Sequence, residues 1–208
     1  VRALPGTLDA LAARPDARVH PAPRWTLTSP AALPRAVPHV GAAALAAGGG
    51  PTGAGIHVAV IDSGVDYMHR ALGGSGDPSD YAENDESIVE PGSFPGPKVV
   101  GGYDFAGAAY NGSNAPQPDD DPLDTGGHGT HVAGIVAASG AAGAPGVARD
   151  ARIVALKVFG RGGSTSLVTD ALWKIPIVAI YTGIYALTPL RVPVTWWTVL
   201  LMLLALDF

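Results

Sequence analysis

The 208-residue chain contains no cysteine and few positive charges. Without cysteine it can form no disulfide framework, no cysteine-ligated zinc site and no thiol nucleophile. Lysine and arginine together number 13 against 18 aspartates and glutamates, which gives a formal net charge of −5. We therefore expect no basic face and no nucleic-acid partner. In contrast, 28 glycines and 19 prolines predict many turns and short elements.

Composition divides the chain into three parts. Residues 1–50 are rich in alanine and proline, and because proline interrupts helices they are predicted to be a linker or the end of a propeptide. Residues 51–174 alternate short apolar runs with polar, proline-rich loops. Residues 175–208 hold only two charged residues, Arg191 and Asp207. The chain starts without an initiator methionine or a leader, so we expect it to be the interior of a longer product.

The run 56–62 consists mostly of β-branched residues and follows a glycine, which predicts a strand that is buried on both faces of a parallel sheet. The runs 98–105 and 151–160 are further strand candidates. Two stretches, 131–140 and 164–174, predict helices, the second with Ser164 or Thr165 as N-cap. Strands that alternate with helices predict an α/β fold with a parallel sheet and flanking helices.

Two polar residues lie where such a fold collects its functional groups. Asp62 ends the first predicted strand, and functional groups of parallel sheets gather at the carboxyl ends of strands. Aspartate also caps turns for purely structural reasons, so Asp62 alone does not decide between these roles. His128 follows a pair of glycines just before a predicted helix. A histidine held by a buried carboxylate is a general base that activates a hydroxyl nucleophile.

A second histidine, His131, raises the alternative of a metal pair. Zinc-binding helices of the H-E-x-x-H type place their histidines four residues apart with a glutamate beside the first. Here the spacing is three, and Gly129 and Thr130 separate the two histidines. The spacing therefore favours a base with a neighbour over a metal site, and we expect no metal ligands among the histidines.

The stretches "VAVIDSGVDYMHRAL" (58–72) and "GHGTHVAGIVAA" (127–138) resemble the aspartate and histidine motifs of the subtilisin-like serine proteases, the subtilases. The resemblance covers about 55–174 and implies a subtilisin-like α/β fold that hydrolyses polypeptide substrates outside the cell or in its envelope. It also implies that Asp62 orients the histidine, that His128 is the general base and that His131 is structural. Arg70 stands where the family usually has proline.

The nucleophile that the resemblance implies is missing. The family's serine lies in a Gly-Thr-Ser-x-Ala context, and that string occurs nowhere in the 208 residues. The family's oxyanion-hole asparagine has no counterpart either, and Ser63, Ser164 and Ser166 stand in other contexts. We therefore expect a truncated subtilisin-like sheet, a partial catalytic domain over 51–174, and no peptidase activity from this chain alone.

The C-terminal part has a different character. Leu187–Leu206 is an apolar run with the length that spans a bilayer core of about 30 Å, which predicts a transmembrane helix and membrane association. The tail is faintly similar to the approach to the first histidine box of membrane fatty-acid hydroxylases and sterol desaturases. Because Pro176 interrupts a helix expected to continue past Lys174, we place a junction between unrelated sequences within 170–180. The alternative to a protease is thus a non-catalytic, membrane-attached fragment of a chimeric or frameshifted gene.

An acidic run precedes the histidine motif and is the one candidate for a cofactor. Carboxylates in a short loop can bind calcium, although a solvated acidic loop explains the same composition. The residues concerned are Asp119, Asp120, Asp121 and Asp124.

Overall fold

The structure is a computed structural model that describes residues 13–14, 25–26 and 36–172. The helices in this part are α1 (Ala36–His39), α2 (Ala42–Ala47), α3 (Pro78–Glu83) and α4 (His128–Ala137). The strands are β1 (Trp25–Thr26), β2 (His57–Asp62), β3 (Val99–Asp104), β4 (Arg152–Lys157) and β5 (Ser164–Thr165). A 3-10 turn occupies Arg70–Leu72, where Arg70 is exposed at the surface.

Three of the strands form a parallel sheet in the order β2-β4-β3. The central strand β4 is buried from Ile153 to Lys157, as its run of β-branched and aliphatic residues predicts. These three strands lie within the predicted runs, so the prediction of an α/β fold with a parallel sheet is confirmed. The register pairs Asp62 with Lys157, and Lys157 with Asp104, at the carboxyl ends of the three strands.

Apolar side chains cover both faces of the sheet. One cluster joins Ile153 and Ala155 of β4 to Ala133 and Ala137 of α4. The other cluster joins alternate residues of β4, Val154 and Leu156, to Val168 and Ala171 of the segment that follows β5. Because successive residues of a strand point to opposite faces, β4 supplies both clusters. The helix that carries the histidine motif is therefore packed against the sheet.

Two helix predictions need correction. Helix α4 begins at His128, three residues before the predicted start at His131. The stretch 164–174 is not helical from its first residues, because Ser164 and Thr165 form β5 and only 168–172 of the described part is helical. The Thr165 hydroxyl oxygen accepts a hydrogen bond from the backbone N–H of Leu167, at 2.9 Å, but the helix begins only at residue 168, so the prediction that Ser164 or Thr165 is its N-cap is wrong.

No helix of the described residues is long and apolar enough to cross a membrane. The hydrophobic tail 175–208, with the apolar run Leu187–Leu206, lies outside the described residues, and so does most of the junction placed within 170–180. The transmembrane helix therefore stays a prediction from sequence.

Candidate active site

Asp62 and His128 form a hydrogen-bonded pair at the carboxyl end of β2. The Nδ1 atom of His128 lies 2.8 Å from Oδ1 and 3.0 Å from Oδ2 of Asp62. The carboxylate side chain is 1% exposed, whereas the imidazole side chain is 17% exposed. The carboxylate is thus buried behind the ring, and part of the ring is accessible to solvent.

Local sequence brings the two residues together. Asp62 is the last residue of β2, and His128 is the first residue of α4, directly after Gly127. Gly127 has a φ of 82°, in the left-handed region that glycine adopts without strain. A Cβ atom on Gly129 would lie 2.1 Å from the carbonyl oxygen of Gly64, so only glycine lets this helix approach the strand so closely. The two glycines bring the imidazole within reach of the carboxylate.

The surroundings of Asp62 decide which ring nitrogen carries the proton. Burial raises the pKa of the Asp62 carboxyl, and the Ser63 backbone N–H and the hydrogen bond to His128 oppose that shift. In its ionised form the carboxylate can only accept hydrogen bonds, so the Nδ1 atom of His128 must donate. The Nε2 atom then has a free lone pair and can act as a base.

Lys157 is the register neighbour of Asp62 but does not pair with it. Its ammonium group lies 2.9 Å from Oδ2 of Asp104, and both side chains are buried. The lysine charge is therefore matched by the carboxylate at the end of β3, and Asp62 forms its ion pair with His128 instead.

The remaining predicted residues have structural roles or no described contact. The Ser63 hydroxyl donates to Asp124 Oδ1 at 2.8 Å and accepts from the Gly129 N–H at 2.9 Å, so it already acts as both a hydrogen-bond donor and an acceptor. Ser164 lies in β5, and Ser166 directly follows that strand.

The buried Nδ1 atom of His131 has no hydrogen-bond partner among the residues that the structure describes. Within the same residues no three His, Cys, Asp or Glu side chains are grouped to hold a metal ion.

The acidic run does not have the arrangement of a calcium cage. Asp121 is buried and accepts hydrogen bonds through Oδ1 from the Tyr67 hydroxyl, at 2.8 Å, and from the Leu123 N–H, at 3.0 Å. Asp119 lies beside β3, where it exchanges backbone hydrogen bonds with Asp104. Asp124 faces the histidine helix, where five donors occupy its two carboxylate oxygens. The carboxylates of Asp121 and Asp124 thus have separate structural roles, whereas Asp120 is exposed.

Sequence reasoning missed the role of Asp124 and Thr130. Thr130 donates to Asp124 through both its backbone N–H and its hydroxyl. The signal was present, because an aspartate just before a helix and a threonine in its first turn are typical of a helix N-terminus. It was obscured because Asp124 was grouped with the acidic run rather than with the helix.

Stability is expected to depend on pH through Asp121. Burial raises the pKa of this carboxyl from 3.8 to about 6, so between these values the folded chain binds more protons than the unfolded chain. The free energy of unfolding then falls as pH rises through this window. We expect Asp121→Asn to raise the melting temperature relative to the parent chain at about pH 7.5, and the gain to shrink as pH falls and to vanish only below about pH 3.8. Melting curves across this range test the effect, and the exposed neighbour variant Asp120→Asn controls for the charge change. A gain that does not vary with pH would contradict this expectation.

The Subtilase family model matches residues 53–175, which is more than half of the chain. A thermophilic serine proteinase of Bacillus sp. (strain AK1) is 37% identical over 122 residues, which cover 57% of this chain and 22% of that protein. The minor extracellular protease Vpr of Bacillus subtilis (strain 168) is 39% identical over 115 residues, which cover 55% of this chain and 11% of that protein. A solved structure of MycP1 with the N-terminal propeptide removed is 25% identical, with a TM-score of 0.37. The match covers 73% of this chain and 34% of the MycP1 chain.

The chain spans less than a quarter of the length of the two curated relatives. Both motifs that carry the resemblance lie inside the matched residues, and the structure joins them through the bond between Asp62 and His128. The match ends at residue 175, so it lends no support to the likeness of the tail to hydroxylases and desaturases. The chain belongs to the subtilase family.

Proposed function

We propose that this chain supplies the aspartate and the histidine of a subtilisin-type serine endopeptidase. The observation that carries the proposal is the 2.8 Å hydrogen bond between a buried carboxylate and a partly exposed imidazole. This arrangement leaves the Nε2 atom of His128 free to take a proton from a serine hydroxyl as it attacks a peptide carbonyl. Asp62 holds the ring in the required tautomer and stabilises the imidazolium that forms.

The nucleophile and the oxyanion-hole asparagine lie outside these 208 residues in our proposal. The sequence contains no Gly-Thr-Ser-x-Ala string, and the hydroxyl of Ser63 is occupied by two structural hydrogen bonds. The chain would therefore hold and orient the general base, His128. It could not by itself form the covalent bond to the peptide carbonyl, because that step needs the serine.

An extended polypeptide is the proposed substrate, and β5 supports this. Strand β5 pairs antiparallel with Trp25–Thr26, a segment of the chain's own N-terminal part. Pairing through backbone hydrogen bonds depends on an extended conformation and not on the side chains. The edge of β5, which pairs with this segment, is therefore suited to an extended peptide. The segment between β4 and β5 also contacts the candidate site, because the backbone N–H of Val158 donates to the carbonyl oxygen of Asp62.

We further propose that the protease part acts outside the cell or in its envelope, as the name of the extracellular relative suggests. The alternative function, a non-catalytic membrane-attached fragment, is supported only by the composition of the run Leu187–Leu206.

Turnover by the chain alone is expected to equal that of buffer. Loss of one triad member leaves only about 10³–10⁴-fold catalysis over water, and that remainder depends on an intact oxyanion hole. Loss of an oxyanion donor removes about another 10²–10³-fold. Hydrolysis of casein or a chromogenic peptide measures this, with His128→Ala as the matched variant. Turnover that His128→Ala abolishes would show that the chain carries its own nucleophile, whereas turnover that survives the change would reveal a contaminating protease.

A further inference from the structure

The carboxylate of Asp124 is the most heavily hydrogen-bonded side chain near the candidate site. Its side chain is 1% exposed, and it accepts five hydrogen bonds within the described residues. Oδ1 accepts from the Ser63 hydroxyl at 2.8 Å and from the backbone N–H groups of Gly126 and Gly127, both at 2.9 Å. Oδ2 accepts from the backbone N–H and the hydroxyl of Thr130, at 2.8 and 2.6 Å.

These donors belong to three segments that surround the pair of Asp62 and His128. Ser63 follows Asp62 at the end of β2, the two glycines form the turn before α4, and Thr130 lies in the first turn of α4. Two further bonds close the network. The Ser63 hydroxyl oxygen accepts from the Gly129 N–H at 2.9 Å, and the Thr130 hydroxyl oxygen accepts from the Asp66 N–H at 2.8 Å.

The network also provides acceptors for the N-terminus of α4, whose N-cap residue is a glycine. Gly127 has no side chain to cap the helix, so the first backbone N–H groups need other acceptors. Ser63 accepts from Gly129, and Asp124 accepts from Thr130. A buried negative charge at this end of a helix is further stabilised by the helix dipole.

From this geometry we infer that Asp124 is a positioning residue that fixes the distance and angle between Asp62 and His128. The inference rests on the proposed function, because positioning serves a base. Hydrogen bonds to an ionised carboxylate are shorter and stronger than neutral ones, so one side chain can hold the strand end, the turn and the helix start as a rigid unit. Catalytic groups need this rigidity, because they must stay within roughly 0.5 Å of productive geometry.

The test is the proton resonance of the Nδ1–H of His128 in the ¹⁵N-labelled chain of 208 residues. A short hydrogen bond to the Asp62 carboxylate moves this resonance to low field and slows exchange of the proton with water. We expect Asp124→Asn to abolish the low-field resonance, because an amide N–H group would face the donors of Thr130 or of the glycine turn. Asp120→Asn, which makes the same charge change at an exposed residue of the acidic run, should leave the resonance in place.

A second pair of variants keeps the inference testable if Asp124→Asn does not fold. Thr130→Ser retains the hydroxyl and should reproduce the parent resonance, whereas Thr130→Val removes one donor and should shift or broaden it. If Thr130→Val, or a folded Asp124→Asn chain, shows the parent resonance, Asp124 does not position the pair. This readout requires no turnover, so it separates failure of the positioning role from failure of the proposed protease function.

Discussion

Gly129→Ala is expected to destabilise the chain severely and to separate His128 from Asp62. The added Cβ atom would lie 2.1 Å from the Gly64 carbonyl oxygen and 3.0 Å from the Cβ atom of Asp62. Both contacts involve atoms fixed by the backbone, so no side-chain rotation relieves them. Overpacking in a rigid interior costs about 1–3 kcal/mol and sometimes more, and we expect this change at or above the upper end of that range.

The same helix provides a matched control. Gly134 also lies within α4, but a Cβ atom there meets nothing within 4 Å. Because alanine favours the helix over glycine by about 1 kcal/mol, Gly134→Ala should raise the melting temperature while Gly129→Ala lowers it. Thermal melting followed by circular dichroism measures both changes. Equal shifts for the two variants would show that the close approach of α4 to β2 does not hold in solution.

The strands and the two catalytic candidates could be predicted from sequence because their signals are local. The runs that contain β2 and β4 each hold four consecutive apolar residues, 58–61 and 153–156, which favours a strand within a sheet. Asp62 was placed at a strand end by position alone, and the carboxyl ends of the strands do meet there. Resemblance to the family supplied the partnership with His128, since their separation along the chain contains no geometric information.

The start of α4 and the contact of Ser63 with Asp124 could not be predicted because they depend on residues far apart in the chain. Gly129 is a poor helix former, so local propensity predicts that the helix begins only at His131. In the fold, the hydroxyl of Ser63 accepts from the Gly129 N–H across 66 positions of sequence, which allows the helix to begin at His128. Strand β5 was likewise missed, because its pairing with β1 joins residues far apart in sequence.

A chimera can test whether Asp62 and His128 support peptide hydrolysis. We propose to place residues 53–172 into the serine proteinase of Bacillus sp. (strain AK1), in exchange for the segment they match, so that the relative supplies the rest of the catalytic domain. The chimera should hydrolyse a chromogenic peptide, and Asp120→Asn, an exposed change in the same segment, should leave kcat unchanged. A chimera that melts cooperatively but shows no turnover would contradict the proposed function.

In that chimera, Asp62→Asn is expected to lower kcat by about 10⁴-fold with little change in KM. The Ser63 backbone N–H donates to Oδ1 of Asp62 at 2.7 Å, and because an N–H group cannot accept, the oxygen of the new amide must stay at that position. The amide NH₂ group then takes the place of Oδ2, 3.0 Å from the Nδ1 atom of His128. The amide oxygen, 2.8 Å from Nδ1, can still accept, but the NH₂ group opposes the Nδ1–H donor and so disfavours the tautomer that leaves Nε2 free to accept the serine proton. The neutral amide also cannot stabilise the imidazolium that forms. Kinetics above the pH range of histidine titration measure the loss, and a fall of less than tenfold would show that Asp62 does not set the tautomer.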